Sequence, residues 1–255
     1  MSAPQPIENE VLNLLQKHID SDIVPNEFES ARIKRDIAKI ISLSVREYST
    51  AILLLAQRKP LDSLSHFQKS LNMNANQTVA KNYISALINV SKNEEAFEVA
   101  ESYKLLDMPN FDINITLDLF NFTRGIFDFK TAEYLISKME NVKRYSEIAA
   151  DCRVQLDRMK ESSDNGCVTL SELQKAGTHI STVLQRHQTQ STGCDFIQLH
   201  DNQGLVVQYK VNKSLNSGQL LEMETELDCL FIESGLDDLD FTINFRSSPE
   251  TQGGV

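Results

Sequence analysis

Apolar residues recur along the first 160 positions at spacings of three and four, the period of one buried face on an amphipathic helix. Val79, Ala80, Tyr83, Ala86, Leu87 and Val90 follow that rhythm, as do Ala96, Phe97, Ala100, Tyr103, Leu105 and Leu106. The pattern predicts helices over 7–19, 27–42, 45–58, 60–73, 77–91, 94–107, 112–124, 129–140 and 145–160. Residues able to cap free helical N–H groups stand at several starts. Asn26 precedes Glu29 and Ser44 precedes Glu47 at capping-box spacing, and Asn76, Asn93, Asp112 and Asp128 are further N-cap candidates. Most of the intervening stretches are two to four residues long, which predicts antiparallel neighbours and a chain of helical hairpins.

Beyond residue 168 the period changes. Thr169 and Glu172 form another capping pair, opening a helix to about 188 with Leu173, Ala176, Ile180, Val183 and Leu184 on one face. Phe196–His200 and Leu205–Val211 are β-rich runs separated by Asp201-Asn-Gln-Gly204, which reads as a hairpin. Asp240–Phe245 alternates as a third strand. The stretch 218–234 fits two patterns. Leu221, Met223, Leu227 and Cys229 alternate with acidic residues as in a strand, whereas Leu220, Met223, Leu227, Leu230 and Phe231 cluster on a helical wheel. Abundant Glu, Leu and Met, with Gly235 at a C-cap position, favour the helix. The expected fold is mainly α: stacked antiparallel helical hairpins followed by a small α+β domain of order α-β-β-α-β with an antiparallel sheet. The expected domains are 1–160, a linker at 161–168, the small domain at 169–246 and a disordered polar tail at 247–255.

The second helices of three hairpins superimpose. Ser63-Leu64-Ser65-His66-Phe67 through Leu71 matches Ala96-Phe97 through Lys104, and both match Ala132 through Met139. The starts lie 33 and 36 residues apart, on either side of a 34-residue repeat. Over about 45–145 the chain resembles the tetratricopeptide-repeat family, most clearly in Lys92-Asn-Glu-Glu-Ala-Phe-Glu-Val-Ala-Glu-Ser-Tyr-Lys-Leu-Leu-Asp-Met-Pro109. The aromatic and Leu-Gly pair of that family's first helix are missing, and Pro109 is the one closing proline. The resemblance implies an α-solenoid whose surface captures a peptide or another protein.

Charge adds an asymmetry to this picture. Residues 1–160 hold 20 basic and 22 acidic side chains, and residues 161–255 hold 5 and 14. Such an acid excess disfavours nucleic acid and anionic membrane as partners and favours a basic protein. Eight carboxylates stand between Glu222 and Asp240 with no Lys or Arg among them. Glu222, Glu224, Glu226, Asp228, Asp237 and Asp238 are accordingly the candidate partner-binding residues, against a plain solvated face or a divalent-cation site as alternatives. The Asp-x-Asp-x-Asp-Gly spacing of a calcium loop is not present.

Conventional chemistry is sparse. No phosphate loop, dinucleotide fingerprint, nucleophile elbow or HExxH occurs. Cys152, Cys167, Cys194 and Cys229 form no CxxC and read as free thiols, with neither a disulfide framework nor a zinc site. His179 and His187 are too far apart on one helix to share a zinc ion. Cys194 near His200 and Asp201 is the one imaginable nucleophilic pair, and ordinary turn and strand positions are the preferred reading. Phe111, Phe120, Phe122, Phe127 and Phe129 are expected in the core, with part of that surplus available to line a groove. No catalytic residue, cofactor or metal is expected. The start of the chain lacks the basic and apolar stretches of a signal peptide, so a cytoplasmic protein is expected. The function expected is a non-catalytic protein-binding adaptor. An immunity or antitoxin-like inhibitor of a basic toxin and an enzyme acting through the C-terminal domain are the alternatives.

Overall fold

Several helix starts follow side chains that satisfy the first free N–H groups. The computed structural model describes residues 6–21, 23–164, 168–189, 191–198, 205–211, 215–238 and 241–247. In chain order these form α1 (Pro6–Asp20), α2 (Glu27–Ala38), α3 (Leu43–Ala56), α4 (Pro60–Met73), α5 (Gln77–Asn89), α6 (Asn93–Ser102), α7 (Ile113–Gly125), α8 (Phe129–Glu140), α9 (Ser146–Asp164), α10 (Leu170–Arg186), β1 (Ser191–Gln198), β2 (Leu205–Val211), α11 (Ser217–Ser234) and β3 (Phe241–Ser247). The protein is thus mainly helical, with a small sheet near its C-terminal end. Asn26 and Thr169 form full capping boxes with Glu29 and Glu172, and Asp112 and Asp128 cap α7 and α8. Two expected caps differ. Ser42, not Ser44, caps α3, while the Ser44 hydroxyl reaches across to Ser70. Asn93 begins α6 with its side chain buried and unpaired.

α3, α5 and α6 end earlier than the pattern predicts, at Ala56, Asn89 and Ser102, each closed without glycine. Arg58, Ser91, Lys104, Phe127 and Gln188 each take a left-handed φ between 51° and 59° just beyond a helix, a conformation that terminates a helix but that sequence signals mainly through Gly or Asn.

The described chain divides into two compact units. One comprises 1–89 with 94–105, the other 90–93 with 106–255. In the first, α3 packs on α1, α2 and α4, and α4 on α5. Phe67 lies wholly buried between Tyr48 and Tyr83, with ring centroids 6.2 and 5.8 Å away. In the second, α7, α8 and α9 pack in succession, α10 packs on α11, and α7 meets β1. The segment 90–93 belongs there because the Ser91 hydroxyl donates to Thr189 O and Gln185 Nε2 donates to Ser91 O. Residues 161–164 of the predicted linker continue α9, and 165–167 lie outside the described residues. Phe111, Phe120, Phe122, Phe127 and Phe129 are all buried here, so none remains to line a groove.

The sheet corrects an expectation. Its order is β1-β2-β3, with β1 and β2 antiparallel but β2 and β3 parallel. The sheet is therefore mixed, not antiparallel. α11 is the reason: a crossover helix carries the chain back to the end from which β2 started, so the next strand enters in the same direction. β2 is central and buries Leu205, Val207, Tyr209 and Val211 on alternate positions. The buried Tyr209 hydroxyl donates to Gly125 O at the end of α7, fastening the sheet to the helices of its unit. A closer approach joins α10 to α7: a Cβ built on Gly177 would fall 1.7 Å from Ile126 O. Ser247, expected in the tail, closes β3. The predicted turn at 201–204, Cys167, His200, Asp240 and residues 248–255 lie outside the described residues.

Candidate functional site

The acidic run resolves into a helix with two apolar faces. α11 begins with a capping box between Asn216 and Gln219 and ends at Gly235, φ 67°. Met223, Leu227 and Phe231 form its buried face, and the helix packs against α10 and β3. At 100° per residue the opposite face carries Gly218, Leu221, Thr225, Cys229 and Ile232. Leu221 and Ile232 are each 63% exposed, and Cys229 is exposed. The predicted choice of helix over strand for 218–234 holds. The strand-like alternation arose because apolar residues occupy opposite sides of the same helix.

The candidate carboxylates separate into two groups. Glu222, Asp228, Asp237 and Asp238 are exposed, as is Glu233. Glu224 and Glu226 are half-buried and engaged within the molecule. Glu224 Oε1 accepts from Phe245 N at 3.0 Å. β3 is an edge strand, so this carboxylate occupies a backbone donor that another chain would otherwise pair with. Glu226 takes a hydrogen bond from Arg186 and lies 2.9 Å from His187 Nε2, both at the end of α10.

Burial pushes the Glu226 carboxyl up, but the hydrogen bonds and charges of Arg186 and His187 outweigh it and hold the group below its ordinary 4.5. A carboxyl lowered in the folded state stabilises fully above its unfolded value, and that stability is lost as pH falls through the folded one. Glu226→Gln is therefore expected to lower the unfolding free energy from urea titration at pH 7 by about 1 kcal/mol or less for a pair this accessible. At pH 3 the substitution is expected to matter less. Urea titrations at the two pH values check this, and an equal loss at both would show that the charge is not what holds α11 to α10.

Thiol chemistry gains little support from the geometry. Burial pushes Cys194 up to about 11, against a weaker pull from Arg124, and burial raises Cys152 as well. A thiol so raised holds only about one part in a thousand as thiolate at pH 8. Its imagined partner His200 is outside the described residues. Among the described residues, no group of three or more His, Cys, Asp or Glu side chains is placed to hold a metal ion, and no helix is long and apolar enough to cross a membrane.

The outward apolar row of α11 is the feature that the sequence reading missed. Its signal lies in the alternation at 218–234, where the apolar residues of both faces of one helix read as two competing elements. The row borders a shallow depression of about 570 Å³ lined by Gly218, Leu221, Glu222, Thr225, Glu226 and Cys229. Comparison of the chain with known protein families, curated proteins and solved structures gives no match.

Proposed function

We propose that this protein is a non-catalytic adaptor that binds another protein by stoichiometric contact, with a basic partner docking on the outward face of α11. One observation carries the reading: an apolar row containing Leu221 and Ile232, each 63% exposed, lies between the exposed carboxylates Glu222 and Glu233 on one side and Asp228 on the other. Exposed apolar surface rimmed by charge is characteristic of interaction sites, and the sign of the rim selects the partner's charge.

The helices are, in the same reading, antiparallel hairpins of tetratricopeptide type. Ser63, Ala96 and Ala132, the small residues that align at 33- and 36-residue spacing, are all wholly buried, which supports close helix approach at equivalent positions. Stacked hairpins of this kind offer an extended surface for a peptide or protein.

The test is capture from the native host by the tagged full chain, compared with a Glu222→Gln, Asp228→Asn, Glu233→Gln variant. Three exposed pairs at about 0.5 kcal/mol each amount to roughly tenfold in affinity. A basic protein released by salt and captured roughly tenfold less by the variant is expected. Equal capture by both chains would remove the acidic face from the account.

A further inference from the structure

The outward face of α11 has a periodicity of its own. Gly218, Leu221, Thr225, Cys229 and Ile232 are separated by three, four, four and three residues, which keeps all five within about 80° of one face of the helix. α11 already meets its own unit through Met223, Leu227 and Phe231 on the opposite side. The second seam therefore has no function in holding α11 to the sheet or to α10. Its side chains also alternate in bulk. Leu221 and Ile232 stand out near the ends, while Gly218, Thr225 and Cys229 leave low ground between them, where the depression lies. Ridges and hollows at this spacing receive the side chains of a crossing helix. Five residues over fifteen positions make about four turns, or roughly 21 Å of contact.

We propose that the occupant of this face is an amphipathic α-helix of another protein, with apolar residues at alternating three- and four-residue spacing and Lys or Arg on both flanks. The inference rests on the adaptor reading and specifies its partner. Charge decides between candidate helices. No Lys or Arg occurs from 217 to 238, and the exposed Glu222 and Glu233 border the row on one side and Asp228 on the other. A second copy of α11 would set carboxylates against carboxylates, so self-pairing is opposed where pairing with a basic helix is favoured. A β-strand occupant would find no backbone partners here, because α11 satisfies its own N–H and C=O groups within the helix.

The test uses the full chain and three fluorescein-labelled 21-residue peptides. One carries a leucine seam at this spacing flanked by Lys, one the same seam flanked by Glu, and one the Lys peptide's composition in scrambled order. Anisotropy titration gives affinity. Maleimide alkylation at Cys229, read by peptide mass mapping, reports whether the seam is covered. The Lys-flanked peptide is expected to bind at least tenfold tighter than the other two and to slow Cys229 alkylation at least fivefold at saturation. Ile232→Asp is expected to weaken it at least tenfold with an unchanged thermal midpoint, since Ile232 is mostly exposed. Equal binding of the scrambled peptide, indifference to Ile232→Asp, or unslowed alkylation would each overturn the helical occupant. A sedimenting dimer of the chain alone with Cys229 shielded would overturn it in favour of a second copy. If the peptides fail while the triple carboxylate variant still loses its captured host partner, the helical inference falls and the adaptor reading stands. If capture is also unchanged, both fall.

Discussion

Gly177→Ala is expected to destabilise the unit that contains the sheet, although the same change in an ordinary helix stabilises. Helix propensity alone favours alanine over glycine by about 1 kcal/mol. Against this, the added Cβ would stand 1.7 Å from Ile126 O and 2.6 Å from its carbonyl carbon, both backbone atoms with no rotamer to escape into. α10 must then move away from the end of α7, and overpacking of this severity costs about 3 kcal/mol or more. The packing effect wins, leaving a net loss of roughly 2 kcal/mol, or about 4–8 °C in the thermal midpoint of a unit this size. Gly125 provides the control. Nothing lies within 4 Å of a Cβ built there, so Gly125→Ala is expected to be neutral or mildly stabilising. Calorimetry on both variants checks the pair, and a Gly177→Ala protein as stable as the parent would show that the α7–α10 approach is not as close as described.

Phe67→Ala is expected to have the largest effect in the other unit. Its ring is wholly buried and contacts both Tyr48 and Tyr83. Truncation of a phenylalanine in such a position costs about 3–5 kcal/mol, a large share of the roughly 5–15 kcal/mol by which a folded protein is stable. Tyr48 stays tethered by Asn82 Nδ2, 2.6 Å from its hydroxyl, so the cavity cannot be filled by a simple swing of that ring. Hydrogen exchange is the appropriate readout. Amides of α3, α4 and α5 are expected to lose protection by orders of magnitude, and unchanged protection there would contradict the placement of Phe67 at the centre of that packing.

The particular elements that sequence revealed share a physical cause. Helix starts were legible because Asn26, Asp112, Asp128 and Thr169 perform their capping locally, within three residues. β2 was legible to the residue because it is central, and its inward positions alternate without exception. Features set by distant contacts were not. The parallel pairing of β3 depends on where the crossover through α11 delivers the chain, which no local pattern records. That 90–93 sits with the second unit is shown by contacts such as the Ser91 bond to Thr189, 98 residues away.

The candidate site was half legible for the same reason. Counting charge picked out Glu222, Asp228, Asp237 and Asp238, all of which are exposed. It could not separate them from Glu226, whose cations come from α10, or from Glu224, which meets the backbone of β3. The outward seam was hidden in plain alternation. A helix apolar on two opposite sides has a weak overall amphipathic signal, and the eye divides its residues between a helix and a strand.

Thr225, at the middle of the seam, allows the docking face to be probed where it stands. A photo-reactive benzoylphenylalanine placed at position 225, and separately at the exposed Glu98 of α6, would be irradiated in the native host. A covalent adduct to a basic protein from position 225 and none from position 98 is the predicted result. Adducts from position 98 alone would contradict the claim that α11 receives the partner.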